Sequence, residues 1–371
     1  MNVRARFLLL ALACSAAPAA AQNVALYDHW NGLTGVMYQD YSFDPGLGVK
    51  SSSQLAVPIV VVAPLGRGMS LDLTSNVTHS SISLYSGESQ TLTGLTDTQL
   101  RWLYTVGRDR AVASISVNLP TGQKSFSASQ FQVSGSVGSN FLSFPVANFG
   151  TGFGVTGGLA YAAHSGTWNL GLAGALRYLT SYKPFTDQTL DYKPGLEGRI
   201  RGAADRLIGD RSRLVLGLTF STFSTDVYSG TGSIIGGWYN PGSRFIGDLG
   251  YAYALGKNTL TLAAWDYYRL DGATSAGASP KENIFDSELR FAWPATARLQ
   301  LEPLVGFRQW SPADYRGGRL ATFGANARYA FADRLSGQLT ARYGPGWVYE
   351  PNLGRADLHS TTLYLLLRYQ Y

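Results

Sequence analysis

From about Leu33 onward the chain alternates apolar and polar residues with a period of two, in segments of ~9–14 residues. The last segment is the clearest. Leu363, Leu365, Leu367, Tyr369 and Tyr371 fall on one face of a strand, and Tyr364, Leu366, Arg368 and Gln370 on the other. In the segment before Pro294, Leu289, Phe291 and Trp293 oppose Asp286, Glu288 and Arg290. Next, Leu299, Leu301, Val305 and Phe307 oppose Arg298, Gln300, Glu302 and Arg308. Phe323, Ala325, Ala327, Tyr329 and Phe331 then oppose Thr322, Asn326 and Arg328, and Leu335, Leu339, Ala341 and Tyr343 oppose Ser336, Gln338, Thr340 and Arg342. Near residue 200, Leu196, Ile200 and Ala204 oppose Glu197, Arg199, Arg201 and Asp205. Each segment reads as a strand with one apolar and one ionic face.

The punctuation between segments is also two-sided. Tight turns are expected at Gly66-Arg67-Gly68, Gly107-Arg108-Asp109, His164-Ser165-Gly166, Gly209-Asp210-Arg211, Gly256-Lys257-Asn258, Pro294-Ala295-Thr296 and Ala332-Asp333-Arg334, all built from turn-forming residues. Between them fall longer connections, roughly 87–96, 123–149, 181–190, 225–243, 271–283, 311–317 and 350–357. Turns short at one end and long at the other predict an all-β fold. It is a closed antiparallel transmembrane β-barrel of about 16 strands, with about 14 and an N-terminal plug over 23–65 as the alternative. The doubly apolar run Val57–Val62 suits such a plug.

Alternation alone fits a soluble sandwich as well, whose apolar face would turn inward. Three features decide for the membrane: the strands are many and long, their polar faces carry opposite charges in pairs, and the chain ends on an aromatic, Tyr371; composition agrees. Charged residues make up 15% of the chain, against about 25% in average soluble proteins. Gly and Tyr are abundant, as suits turns and membrane interfaces. Arg4, Arg6, the apolar stretch Phe7–Ala13 and Ala19-Ala20-Ala21 form a secretory signal cleaved before Gln22, too short to span a bilayer as a helix. The expected organisation is a signal peptide, 1–21, then a single barrel, 22–371. The only cysteine, Cys14, lies in the signal with Ala11 where a lipoprotein would need Leu, so the mature chain carries no thiol. No later stretch reads as a membrane helix, which leaves the closed barrel as the one way to pair every backbone group in lipid. The expected location is the outer membrane of a Gram-negative bacterium. The expected partners are outer-membrane lipid, the barrel-insertion machinery that reads a terminal aromatic (here Leu363, Leu365, Leu367, Tyr369 and Tyr371), and a small-molecule solute. The modest net charge of +6 over the whole chain gives no sign of nucleic-acid binding.

Charges on a lipid-facing side cost ~2–4 kcal/mol each at the bilayer midplane, so the ionic faces belong inside. The lumen-facing candidates are Glu197, Arg199, Arg201, Asp248, Glu288, Arg290, Glu302, Arg308, Arg328, Arg342 and Arg368. They line a solute path or, as facing Arg–Glu pairs, brace the wall. The longest connection holds Phe126, Phe131, Phe141, Phe144 and Phe149 with one charge, Lys124. It is a candidate lid or apolar landing site at the mouth, or a loop packed over the rim. Nothing points to an enzyme or a cofactor. His29, His79, His164 and His359 lack metal-ligand spacing, and adjacent His359 and Ser360 point to opposite faces of a strand.

Gly94-Leu95-Thr96-Asp97-Thr98, a strand through Tyr104, a turn, a second strand and Leu119-Pro120-Thr121-Gly122 form a pattern of Gly-x-x-Asp followed one hairpin later by Leu-Pro-x-Gly. Tyr192-Lys193-Pro194-Gly195 with Glu197 is of the same kind. About a third of the chain thereby resembles the outer-membrane transporter-like proteins linked to meta-pathway phenol degradation, related to long-chain fatty-acid and aromatic-hydrocarbon transporters. The resemblance implies about 14 strands, diffusion of small hydrophobic molecules without an energy source, and no catalytic residue. The larger transporters of that kind carry an N-terminal hatch, for which this chain leaves only Gln22 to about Gly32. The expected function is passive outer-membrane transport of small hydrophobic or amphipathic solutes. The alternatives are a general or anion-biased porin and, from another class, a structural or secretion-associated barrel.

Overall fold

A sheet that spans lipid must leave no edge, since an unpaired backbone group has no water to turn to. The computed structural model describes residues 29–66, 68–106, 110–230, 237–313, 317–350 and 354–371; the expected signal peptide, with Cys14, and the turn at 107–109 lie outside them. In chain order the elements are β1 (Asn31–Phe43), β2 (Val49–Gly66), β3 (Met69–Leu84), β4 (Ser89–Leu95), β5 (Thr98–Val106), β6 (Ala111–Leu119), helix α1 (Ala128–Val137), β7 (Gly154–Ser165), β8 (Trp168–Leu179), β9 (Leu190–Lys193), β10 (Glu197–Ile208), β11 (Ser212–Phe223), β12 (Asp226–Gly230), β13 (Gly237–Asn240), β14 (Arg244–Leu255), β15 (Asn258–Arg269), β16 (Gly272–Thr274), β17 (Gly277–Ser279), β18 (Glu282–Pro294), β19 (Leu299–Pro312), β20 (Gly318–Ala332), β21 (Leu335–Glu350) and β22 (Gly354–Gln370).

The wall strands pair antiparallel with their sequence neighbours. The sheet closes where β22 meets β1, in register from Asn31↔Gln370 to Phe43↔Leu358. The sheet holds 17 strands, but β4 and β5 share one position beside β3, so the closed barrel has 16 strand positions. The shared position is one strand broken by a bulge. Val77 pairs with Leu95 and Thr74 with Gln99, so Ser75 and Asn76 face Thr96, Asp97 and Thr98. The extra residue shifts the alternation: Leu92 points in above the break and Leu103 below it, as a bulge requires.

Three expectations are corrected. Residues from Asn31 onward form β1 and β2 in the wall, so the plug alternative and the strand number implied by the resemblance both fall to the 16-position barrel. The apolar run at Val57–Val62 suits the wall on both faces. Ile59 and Val61 look out, and Val62 is buried inside the barrel, on the same face as Ala56. The connection expected at 87–96 is a tight turn at Tyr85–Glu88 followed by β4. Its Ser, Thr and Gly content masked a strand whose large apolar inward residue, Leu92, is fully buried.

The apolar face looks outward. Leu289, Trp293, Val305, Phe307, Phe323, Tyr329, Phe331, Leu339, Tyr343, Leu363, Leu365, Leu367, Tyr369 and Tyr371 are all exposed. The described short turns gather Trp293, Phe331, Tyr369 and Tyr371 at one end, where an aromatic girdle belongs. At that rim Arg334 lies over Tyr371 and Arg206 over Trp168, with the guanidinium carbon 4.3 and 5.2 Å from the ring centres. Long cationic side chains at the edge of an apolar belt adopt this posture.

At the other end the long connections carry strands of their own. β9, β12, β13, β16 and β17 form a separate five-stranded sheet. Tyr192 donates its hydroxyl to Asp226, whose other oxygen accepts from the Gly195 amide at 2.6 Å. Tyr182 meets the Tyr192 ring edge-on at 5.5 Å.

Candidate functional site: the lumen and its insert

The connection after β6 does not stand over the mouth. It turns into the barrel and packs on inward-facing wall residues. Asp97, in the bulge, holds both ends of it. Its Oδ1 accepts from the Gly122 amide at 3.0 Å, and its Oδ2 from the Asn118 side chain at 2.8 Å and the Thr151 amide at 2.7 Å. The Asp97 amide in turn donates to the Phe149 carbonyl at 3.0 Å. A Cβ at Gly122 would run into that same Phe149 carbonyl and the Asp97 amide, so only glycine fits. The two short motifs read from the sequence are therefore the two halves of one clamp.

Inside, Ser127 caps α1 through a capping box with Gln130. The helix presents Val133 and Val137 to the wall, both fully buried. The chain beyond the helix is held by hydrogen bonds to wall side chains. Gln54 donates to the Val146 carbonyl and accepts from the Val146 amide, both at 2.8 Å. Tyr41 and Gln39 donate to the Leu142 carbonyl, and Arg308 donates to the Phe141 carbonyl at 2.9 Å. Phe126, Phe141, Phe144 and Phe149 are buried with Tyr41, Phe43, Ile82, Leu92, Leu320 and Leu358 in one apolar cluster. Burying each phenylalanine is worth about 1.5–3 kcal/mol, enough to keep the insert docked. Phe131 is the exception: it is 48% exposed and lies 5.0 Å from the Phe185 ring.

The insert thus covers the inner wall from β19 round through β1 to β5. The opposite arc, β8 to β18, carries charge. Every lumen-facing candidate named from the sequence sits on the inward face of its strand. Glu197 serves two arginines, Arg199 at 2.6 Å and Arg177 at 3.7 Å. Glu288 likewise takes Arg342 at 2.8 Å and also Arg290. Arg201 reaches both oxygens of Asp248, at 2.7 and 2.9 Å, and Arg308 pairs with Asp286 at 2.6 Å. Glu302 accepts from Asn326 at 2.7 Å. Arg328 donates to Gln338, and Arg368 to Asn31.

The balance is cationic because single carboxylates are shared between arginines. The insert does not offset it, since Lys124 is the one charge over 123–149. The side chains of Arg177, Arg199 and Arg213 point inward and are still 40%, 42% and 44% exposed, so open space adjoins this arc. Sequence reasoning missed Arg177 and Arg213, although both continue the alternation of β8 and β11. It named Asp97 only within the Gly-x-x-Asp pattern, and it missed Gln54 and Tyr41, whose partners lie far along the chain. His359 and Ser360 do face opposite sides: His359 stacks on Tyr343 outside, and Ser360 is buried inside. Among the described residues no His, Cys, Asp and Glu side chains group as metal ligands.

No protein-family model matches the chain, and no curated protein matches its sequence. Solved structures similar to it include a deletion mutant of TodX, a monoaromatic hydrocarbon channel, 12% identical with a TM-score of 0.47 over 92% of this chain and 90% of that one. An anion-selective porin from Comamonas acidovorans is 10% identical with a TM-score of 0.43, over 92% and 98%. A loop-deletion mutant of OmpT, an outer membrane protein of Vibrio cholerae, is 11% identical with a TM-score of 0.42, over 92% and 98%. The barrel itself is established by its register and closure, independently of these likenesses.

Proposed function

We propose that this barrel sits in the outer membrane of a Gram-negative bacterium and lets small solutes cross passively, anions best. Amphipathic anions are included, their apolar part meeting Phe131 and Phe185 near the mouth. The observation that carries the reading is the solvent-open arginine arc of Arg177, Arg199 and Arg213 facing an insert without acidic residues. A wall with an excess of one sign attracts counter-ions and repels co-ions within about a Debye length, ~8–10 Å at physiological salt. Small ions therefore feel it across much of the space left beside the insert.

A purely hydrophobic cargo is less well served. Four of the five phenylalanines of the insert are turned into the wall, and Phe131 alone is on offer. The test is a planar bilayer under a potassium chloride gradient, paired with uptake into proteoliposomes. A reversal potential on the chloride side, with faster entry of an aromatic carboxylate than of its neutral amide, supports the reading. Electrical silence with entry of a neutral aromatic hydrocarbon supports the hydrophobic-solute reading instead. Failure of both would leave a structural or secretion-associated barrel.

A further inference from the structure

Two of the lumen arginines outside its ion pairs lie close together. Arg328 on β20 and Arg368 on β22 lie near the short-turn end, on either side of β21, opposite Gln338 and Ser336 in register. Arg328 gives Nε–H to Gln338 at 3.2 Å, and Arg368 reaches Asn31 at a long 3.5 Å. Neither takes part in any of the ion pairs found among the described residues. Glu302, the acid on this stretch of wall, is engaged by Asn326 instead. The Nε of Arg368 is buried and meets no acceptor. The charge of Arg328 acts on Arg368 and is of the same sign.

Such an arrangement costs free energy in an empty barrel, because like charges repel and a buried donor goes unmet. The ligand that reverses both costs is an oxyanion, whose oxygens match the guanidinium fork. We propose that Arg328 and Arg368, with the Ser336 hydroxyl between them, form an oxyanion site at the short-turn end of the lumen, the last stop of a carboxylate or phosphate before it leaves. The site rests on the passage reading and supplies its exit step. Weak binding suits that place, since a conducted ion must be able to depart.

The test compares wild type, the double variant Arg328→Gln/Arg368→Gln and the outer-rim control Arg355→Gln. In the bilayer, the wild-type chloride current is expected to fall saturably as inorganic phosphate is added. The double variant is expected to lose that inhibition and to show a chloride-to-potassium permeability ratio lower by at least about tenfold, since one unit charge some 5 Å away in water shifts anion and cation by about fourfold each, in opposite directions. Arg355→Gln keeps both. A double variant with wild-type inhibition and an unchanged ratio overturns the site and leaves the passage standing. If wild type passes no current, the passage reading fails, and the site is judged on purified barrel in detergent. A phosphate-dependent rise in unfolding temperature seen in wild type and lost in the double variant upholds it, and equal shifts in the two overturn it.

Discussion

Replacing Asp97 should loosen the insert at its two ends while leaving the barrel intact. The carboxylate accepts from the Gly122 and Thr151 amides and from the Asn118 side chain. Hydrogen bonds to a charged acceptor contribute about 1.5–3 kcal/mol each. Taking the low end for three, the clamp is worth about 4 kcal/mol, or about a thousandfold in the docked-to-released equilibrium of these ends. The middle of the insert keeps Gln54, Arg308 and its buried phenylalanines, so full expulsion is not expected. Asp97→Asn should do nearly as much harm as Asp97→Ala. The amide has one acceptor oxygen where the carboxylate has two, and its NH2 would point at donors. The assay is amide hydrogen exchange at Gly122 and Thr151 in the folded barrel. Acceleration of both by about a thousandfold fits the clamp. Less than tenfold change at both positions, with the barrel still folded, refutes it.

Other changes probe separate links. Gln54→Leu leaves the Val146 amide and carbonyl buried without partners, so the insert should lose about 2–5 kcal/mol of docking, read as faster proteolysis within residues 138–148. Leu365→Arg puts a charge on the lipid face and should cost about 2–4 kcal/mol in denaturant titration of barrel folded into vesicles, whereas Thr362→Arg, on the inward face of the same strand, should cost far less. Glu288→Gln strips the carboxylate from Arg290 and Arg342 and should move the bilayer reversal potential further toward chloride. Burial, then the hydrogen bond and charge of Asp226, raise the Tyr192 phenol well above its ordinary range. The folded outer sheet therefore resists tyrosinate, and its stability should decline as pH climbs past the usual phenol value of about 10 and not below it. Alkaline absorbance titration of wild type against Tyr192→Phe checks this: the variant should lack one of the phenols that ionise late.

What was legible in the sequence is what a period of two encodes. Leu363, Leu365 and Leu367 declared one face and Arg290, Arg328 and Arg342 the other, because hydrocarbon tolerates no misplaced charge along a strand. Turn chemistry such as Gly209-Asp210-Arg211 placed one rim. Pairing between distant strands was not legible. That Glu288 would hold Arg342 as well as Arg290 depends on register, which no local pattern states. The phenylalanines over 126–149 announced burial without saying where, and it is the clamp at Asp97, with Gln54, Tyr41 and Arg308 on the wall, that turns them inward. The strand β4 was hidden by its hydroxyl side chains. The short strands of the outer sheet, three to five residues long, offer too few alternations to be seen.

The seam between the first and last strands has a consequence for how the molecule comes into being. β1 leaves the ribosome first among the wall strands, and its outer neighbour, β22, leaves last. Without that final ribbon, two raw margins face each other across a gap, and the wall is not closed. Gly35 sits in this seam at φ +151°, where any side chain would strike the Leu365 carbonyl. A residue in the first wall strand thus decides whether the last can dock, and a substitution there should hinder closure while the remaining hairpins keep their pairing.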